Sequence, residues 1–215
     1  ICLGNREAVR RLAGLADAFL LHDRDILRRV DDSVVRASST GPIMVRRSRG
    51  HTPVPVDLPV AVREPVLALG GHLQVTACIA MGRDAFVSQH VGDLDSEGAR
   101  GYLREVVAGL EQFLEGEATT IVCDTHPDYP SAWLAMELAT QRGARLLRVP
   151  HHLAHAAAVL AEHDTFPCDG EFAAALILDG TGHGQDGGAW GSELLLVDGQ
   201  LQWGRAAYGE ALPLV

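Results

Sequence analysis

Apolar residues recur at helical spacing along the middle of the chain. Leu103, Val106, Val107, Leu110, Phe113 and Leu114 fall on one face at a period of 3.6, behind a capping Ser96 and ahead of Gly116. Ser131 to Arg142 predicts a second helix closed by Gly143, and an Ala-rich third runs from His151 to Glu162. Short apolar runs between them predict strands at Val66–Gly71, Val75–Met81, Ala85–Ser88, Thr119–Asp124, Arg145–Val149 and Phe172–Leu178. Two further strands join at Asp198-Gly199, a strong hairpin signal. Strands alternating with covering helices indicate an α/β fold.

The first quarter of the chain reads differently. A short helix is expected over 6–17 with Asn5 as its cap, a strand over Ala18–Leu21, and another over Ile43–Val45. Between these strands, His22 to Arg36 is dense in charge. Prolines 53, 55, 59 and 65 then favour extended chain, and a domain boundary is expected near residue 60.

Charge sharpens this division. Residues 1–60 carry ten Arg against seven acids, and the remainder carries eight Arg against twenty-one, giving the net −10. Every basic residue is Arg, so the phosphate lysine of a Walker loop is excluded. A net acidic chain is a poor nucleic-acid binder. No apolar run is long enough to cross a bilayer, and the start has no signal-peptide pattern. The four cysteines form no C-x-x-C pair and read as small buried thiols in a reducing cytoplasm. Opening on Ile1, the chain is expected to be a piece of a longer protein.

Several residues could carry chemistry. His151 and His155 lie one helical turn apart, so both imidazoles can reach one metal ion, although a surface or core-edge placement would leave the same spacing. His152 stands where a zinc protease would have Glu, which excludes that motif. Asp179 ends a buried strand and opens Asp179-Gly180-Thr181-Gly182-His183-Gly184, a turn whose amides can cradle phosphate and whose carboxylate can hold a metal. Gly70-Gly71, Ser88–Asp93 and Asp124–Tyr129 also crowd strand ends, where α/β folds bind ligands, but capping explains them equally well. Arg46, Arg47 and Arg49 around Ser48 offer guanidinium groups suited to phosphate, or simply a solvated charge run.

Six strings of the chain, at 15–36, 46–59, 85–94, 124–135, 151–163 and 177–195, resemble the HypF carbamoyltransferases of nickel–iron hydrogenase maturation, in family order. The resemblance implies that residues 1–60 end a YrdC-like α/β domain. Residues 61–168 would then be the first lobe of an actin-like (ASKHA) two-lobed ATPase-type domain, and 169–215 the start of its second lobe. It further implies a cytoplasmic enzyme that forms carbamoyladenylate from carbamoyl phosphate and ATP and passes the carbamoyl group to the C-terminal cysteine of HypE. These residues alone would not turn over.

Carried onto this chain, the resemblance makes His151, His155 and Asp179 ligands of a divalent metal, iron or zinc, with magnesium accompanying the nucleotide. Gly180, Thr181 and Gly182 would face that nucleotide, and Ser33 and Arg47 would face it in the YrdC-like part. The chain departs from the family at His72, at Leu73-Gln74-Val75, where a lysine is usual, and at His183, where tyrosine is frequent. A small-molecule O-carbamoyltransferase and a non-catalytic binding module are the competing expectations.

Overall fold

The computed structural model describes residue 2 and residues 4–210, and divides the chain into two units, 1–51 and 52–215. The first unit holds helix α1 (Asn5–Leu12) and an antiparallel pair, β1 (Val34–Arg36) with β2 (Ile43–Arg46). α1 is shorter than expected, buries none of its residues and lacks a side-chain cap. Ala18–Leu21 is not a strand, and β1 instead rises from the charged stretch. The two ends of the pair are stitched by Ser33, whose Oγ donates to the Arg49 carbonyl at 2.8 Å and accepts the Ser48 N–H at 2.9 Å.

The second unit contains two sheets. The first has the order β4-β3-β5-β6, from β3 (Val56–Leu69), β4 (Ala77–Val87), β5 (Thr120–Asp124) and β6 (Arg145–Val149). β3 and β4 form an antiparallel hairpin, while β5 lies parallel to both β3 and β6. The proline-rich stretch enters the sheet earlier than expected. β3 starts at Val56 and carries Pro59 and Pro65, with register shifts between Asp57 and Val66 absorbing the missing donors. Val75–Met81 and Ala85–Ser88 are one strand, β4, continued through Gly82 at φ 59°.

Helices α2 (Glu97–Leu114) and α3 (Pro130–Arg142) bury the apolar faces read from the sequence. Ser96 accepts the Ala99 N–H at 3.1 Å and starts α2, which ends at Glu115 rather than Gly116. Leu103, Val106, Val107 and Leu110 join Leu67, Ile79 and Ile121 in a large core. Phe113, expected on that face, stands half exposed and meets Phe86 edge-on. α3 begins on Pro130, whose missing N–H costs nothing at a helix start, and ends at Gly143 with φ 63°.

The second sheet is an antiparallel meander of β7 (Ala173–His183), β8 (Ala189–Val197) and β9 (Trp203–Tyr208). Helix α4 (His151–Glu162) covers its inner face, packing Leu153, Ala156 and Leu160 against Ile177, Leu195 and Val197. The glycine-rich segment expected to be a turn is strand. β7 runs on through Asp179–His183, and the chain reverses at 184–188.

Candidate metal centre

The C-terminal end of β5 and the first turn of α4 meet the middle of β7. Asp124 ends β5 and is buried. Its Oδ1 accepts the His126 N–H at 2.9 Å, which fixes the carboxylate plane, and its Oδ2 lies 3.0 Å from His151 Nδ1. His151 is the first residue of α4, behind Pro150. That position places both Asp124 and Asp179 near the electropositive end of a helix, where carboxylates are stabilised.

With Nδ1–H given to Asp124, His151 turns a lone pair on Nε2 toward the interior of the site. Nε2 lies 3.0 Å from Asp179 Oδ2 and 3.2 Å from His155 Nε2, and His155 Nε2 lies 3.9 Å from the same oxygen. Asp179 Oδ2 is buried and faces the Nε2 atoms of His151 and His155, while its Oδ1 accepts the Gly180 N–H at 2.7 Å. Two imidazole nitrogens and a carboxylate oxygen thus converge.

The spacing fits a cation. Two ligand atoms about 2.0–2.1 Å from a tetrahedral zinc stand about 3.3 Å apart, against observed separations of 3.0, 3.2 and 3.9 Å. Asp124 is then the outer carboxylate that fixes the ring orientation of a ligating histidine. It belongs to one of the polar strand ends noted in the sequence, but only the structure pairs it with His151.

The electrostatics point the same way. The hydrogen bond to Asp124 raises the His151 pKa above its ordinary value; burial opposes this, and the charges of both carboxylates add to it. Burial works against the charge of Asp124, but the hydrogen bonds from His151 and from the His126 N–H outweigh it and hold the carboxyl below its usual range. An environment that favours a proton on His151 also favours a metal cation in its place. Burial, followed by the nearby His151, lowers the His152 pKa, and neither ring nitrogen of His152 has a partner among the described residues.

The other predicted site residues divide. Gly180 and Thr181 are exposed on β7. Gly182 is buried against α4: a Cβ there would lie 2.6 Å from His152 Cε1 and 2.9 Å from His151 Cδ2. Its lack of a side chain lets strand and histidine helix close together. Ser33 and Arg47 lie in the first unit, with the Ser33 hydroxyl engaged by the 48–49 backbone and Arg47 partly buried.

Beside the cluster, Tyr129 stacks on His126 at 4.0 Å and on His72 at 5.7 Å, and His183 lies 5.0 Å from His126. His72 in turn meets Asp95 at 2.9 Å. Gln74 reaches Asp93 with its N–H and His90 with its side-chain oxygen. Ser88 binds the Ala77 N–H and the Gln89 carbonyl, so the 88–93 segment serves as a turn brace.

Comparison with known proteins agrees with this architecture. Residues 61–162 match the model of the HypF Kae1-like domain, and residues 175–215 match that of the second subdomain of the carbamoyltransferase Kae1-like domain. Carbamoyltransferase HypF2 of Cupriavidus necator is 51% identical over 199 residues, covering 91% of this chain and 24% of that protein. Carbamoyltransferase HypF of Synechocystis is 40% identical over 208 residues, covering 97% and 26%. The chain therefore spans about a quarter of the length of these relatives. The crystal structure of full-length HypF in a phosphate- and nucleotide-bound form superposes with a TM-score of 0.83 at 36% identity, over 95% of this chain and 31% of that one. The T. kodakarensis HypF crystal structure gives 0.82 at 35% identity, over 92% and 25%.

Proposed function

This chain belongs to the HypF carbamoyltransferase family and spans its Kae1-like region, and from that premise we propose that it supplies part of an ATP-dependent carbamoyl-transfer centre. Carbamoyl phosphate is the carbamoyl source and carbamoyladenylate the activated form. The C-terminal cysteine of HypE is the acceptor, and its carbamoyl group is destined for a cyanide ligand in nickel–iron hydrogenase maturation. His151, His155 and Asp179 hold one divalent ion, iron or zinc, while Gly180 and Thr181 face the nucleotide and its magnesium; Gly182, expected beside them, is buried against α4. Residues 1 to about 60 end a YrdC-like domain in which Ser33 and Arg47 face nucleotide; the match of the relatives over nearly the whole chain supports including them.

The observation that carries this reading is the convergence of the buried Asp179 oxygen with two imidazole nitrogens from one helical turn. When bound, the ion supplies Lewis-acid polarisation of a phosphoryl or carbonyl oxygen. The chain's own residues position and orient. Asp124 holds the Nδ1–H of His151 and fixes the direction of Nε2. Gly182 lets β7 approach α4 closely enough for Asp179 to face both rings. The exposed backbone of Gly180 and Thr181 leaves room for a phosphate-bearing group at the same edge.

The test uses a complete HypF chain carrying this sequence, with HypE, ATP and carbamoyl phosphate. Intact-mass spectrometry follows carbamoylation of the HypE cysteine, and pyrophosphate exchange follows adenylate formation. Asp179→Asn abolishes transfer and spares exchange. Transfer at the wild-type rate in that variant would remove Asp179 from the centre.

A further inference from the structure

Glu193 is an anomaly in β8. It is 2% exposed, on the inward face that Leu195 and Val197 share, where an apolar side chain avoids desolvating a charge. Its position opposite the metal strand explains it. The β7–β8 ladder pairs Leu178 with Ser192 and next pairs Gly182 with Trp190. Three β7 residues, Asp179 to Thr181, therefore oppose the single Gly191, which makes a bulge at the residue whose carboxylate faces the two histidines.

Such a bulge disturbs the ladder at Gly191. The Gly191 N–H is given to Glu193 Oε1 at 3.1 Å. Gly191 also presses on the bulge: a Cβ there would lie 3.3 Å from the Asp179 carbonyl oxygen and 3.4 Å from that of Gly180. The other Glu193 oxygen accepts Arg205 Nε at 2.5 Å. The Arg205 guanidinium lies over both the Trp190 and Tyr208 rings, 4.1 and 4.2 Å from their centroids. Trp190 donates its Nε1–H to Asp186 at 2.9 Å, and Asp186 also accepts the Gly188 N–H at 2.9 Å. The charge on Glu193 is thus neutralised by an arginine that is itself fixed by two rings.

We infer that Glu193 is a positioning residue for the metal centre: by holding the Gly191 N–H opposite the bulge, it sets where Asp179 points. This rests on the metal reading above. Glu193 touches none of the three ligands and acts only through Gly191 and the bulge.

The experiment titrates Co²⁺ into the complete, chelator-treated chain and reads the visible d–d bands of a nitrogen- and oxygen-ligated site, with thermal melts in parallel. His151→Ala is the control and loses the signal. Glu193→Leu, which takes the acceptor from both Gly191 and Arg205, lowers the melting temperature and weakens Co²⁺ binding by up to about tenfold, the lower end of the range for partners that touch a metal ligand directly. Glu193→Gln, which keeps an acceptor for Gly191, restores most of the affinity. Wild-type affinity in Glu193→Leu, beside a silent His151→Ala, overturns the inference and leaves the metal reading intact. Wild-type affinity in His151→Ala removes the metal reading and the inference with it. Should Glu193→Leu not fold, Glu193→Leu combined with Arg205→Leu, which removes both buried partners together, decides: reduced affinity supports the inference and unchanged affinity overturns it.

Discussion

The two sheets of the second unit are built to different degrees of closure. The first, β4-β3-β5-β6, buries a continuous core beneath α2 and α3, with Leu67, Ile79 and Ile121 almost entirely inaccessible. The second, β7-β8-β9, is covered among the described residues on one face, by α4. Its outer face leaves Leu176 at 66% and Leu178 at 74% exposure. The three candidate ligands and Asp124 lie at the junction. Asp124 comes from the closed sheet, Asp179 from the open one, and the histidines from the helix that follows one and covers the other. The precise half therefore orients the histidine, and the half with less covering supplies the carboxylate. An ion held by both would tie the open sheet to the closed one.

Breaking the closed sheet has the largest expected effect. Ile121→Ala removes a fully buried side chain from the four-stranded sheet and costs about 2–5 kcal/mol in urea unfolding. A loss under about 1 kcal/mol would mean that this core is looser than its packing indicates. The next effect sharpens the junction. Asp124→Asn keeps the shape but gives up the charge that orients His151, and lowers metal affinity about tenfold to a hundredfold. Calorimetric titration with a divalent ion checks this, and unchanged affinity would strip Asp124 of its orienting role.

A smaller effect belongs to the open sheet. Leu178→Ser on its outer face changes the stability of this chain by less than about 0.5 kcal/mol. A loss comparable to that of Ile121→Ala would show that this face is covered. The mildest contrast is chemical. Cys123 lies in the closed sheet, where burial raises its thiol above the ordinary value, whereas Cys168 is exposed ahead of the open one. Peptide mapping after brief alkylation at neutral pH finds label on Cys168 and not on Cys123. Equal labelling would contradict the closure of the first sheet.

The same contrast explains what the sequence reveals. The closed sheet and its helices are legible because their signals are local. Ser96, Pro130 and Gly143 mark helix ends, and Leu103 to Leu110 repeat at helical spacing. His151 and His155 are legible as a pair for the same reason, since one turn of helix fixes their relation. The extension of β7 through Asp179–His183 is not legible. Gly-Thr-Gly reads as a turn until β8 supplies Trp190 and Ala189 as partners. β3 hides behind prolines in the same way, because the hairpin with β4 supplies the pairing that propensity withholds. Asp124 and Glu193 join the picture only through tertiary contacts, with His151 and with Gly191. Asp124 at least carried a hint, as an acid at the end of a buried strand; Glu193 carried none.

The most direct test of the account is anomalous diffraction at the cobalt edge from crystals of the complete chain soaked in Co²⁺. The expected peak lies within coordination distance of His151 Nε2, His155 Nε2 and an Asp179 carboxylate oxygen, with Asp124 still on His151 Nδ1. Density that shows the two imidazoles hydrogen-bonded to each other with no peak between them and Asp179, while cobalt is bound elsewhere on the chain, would contradict an ion held by these three residues.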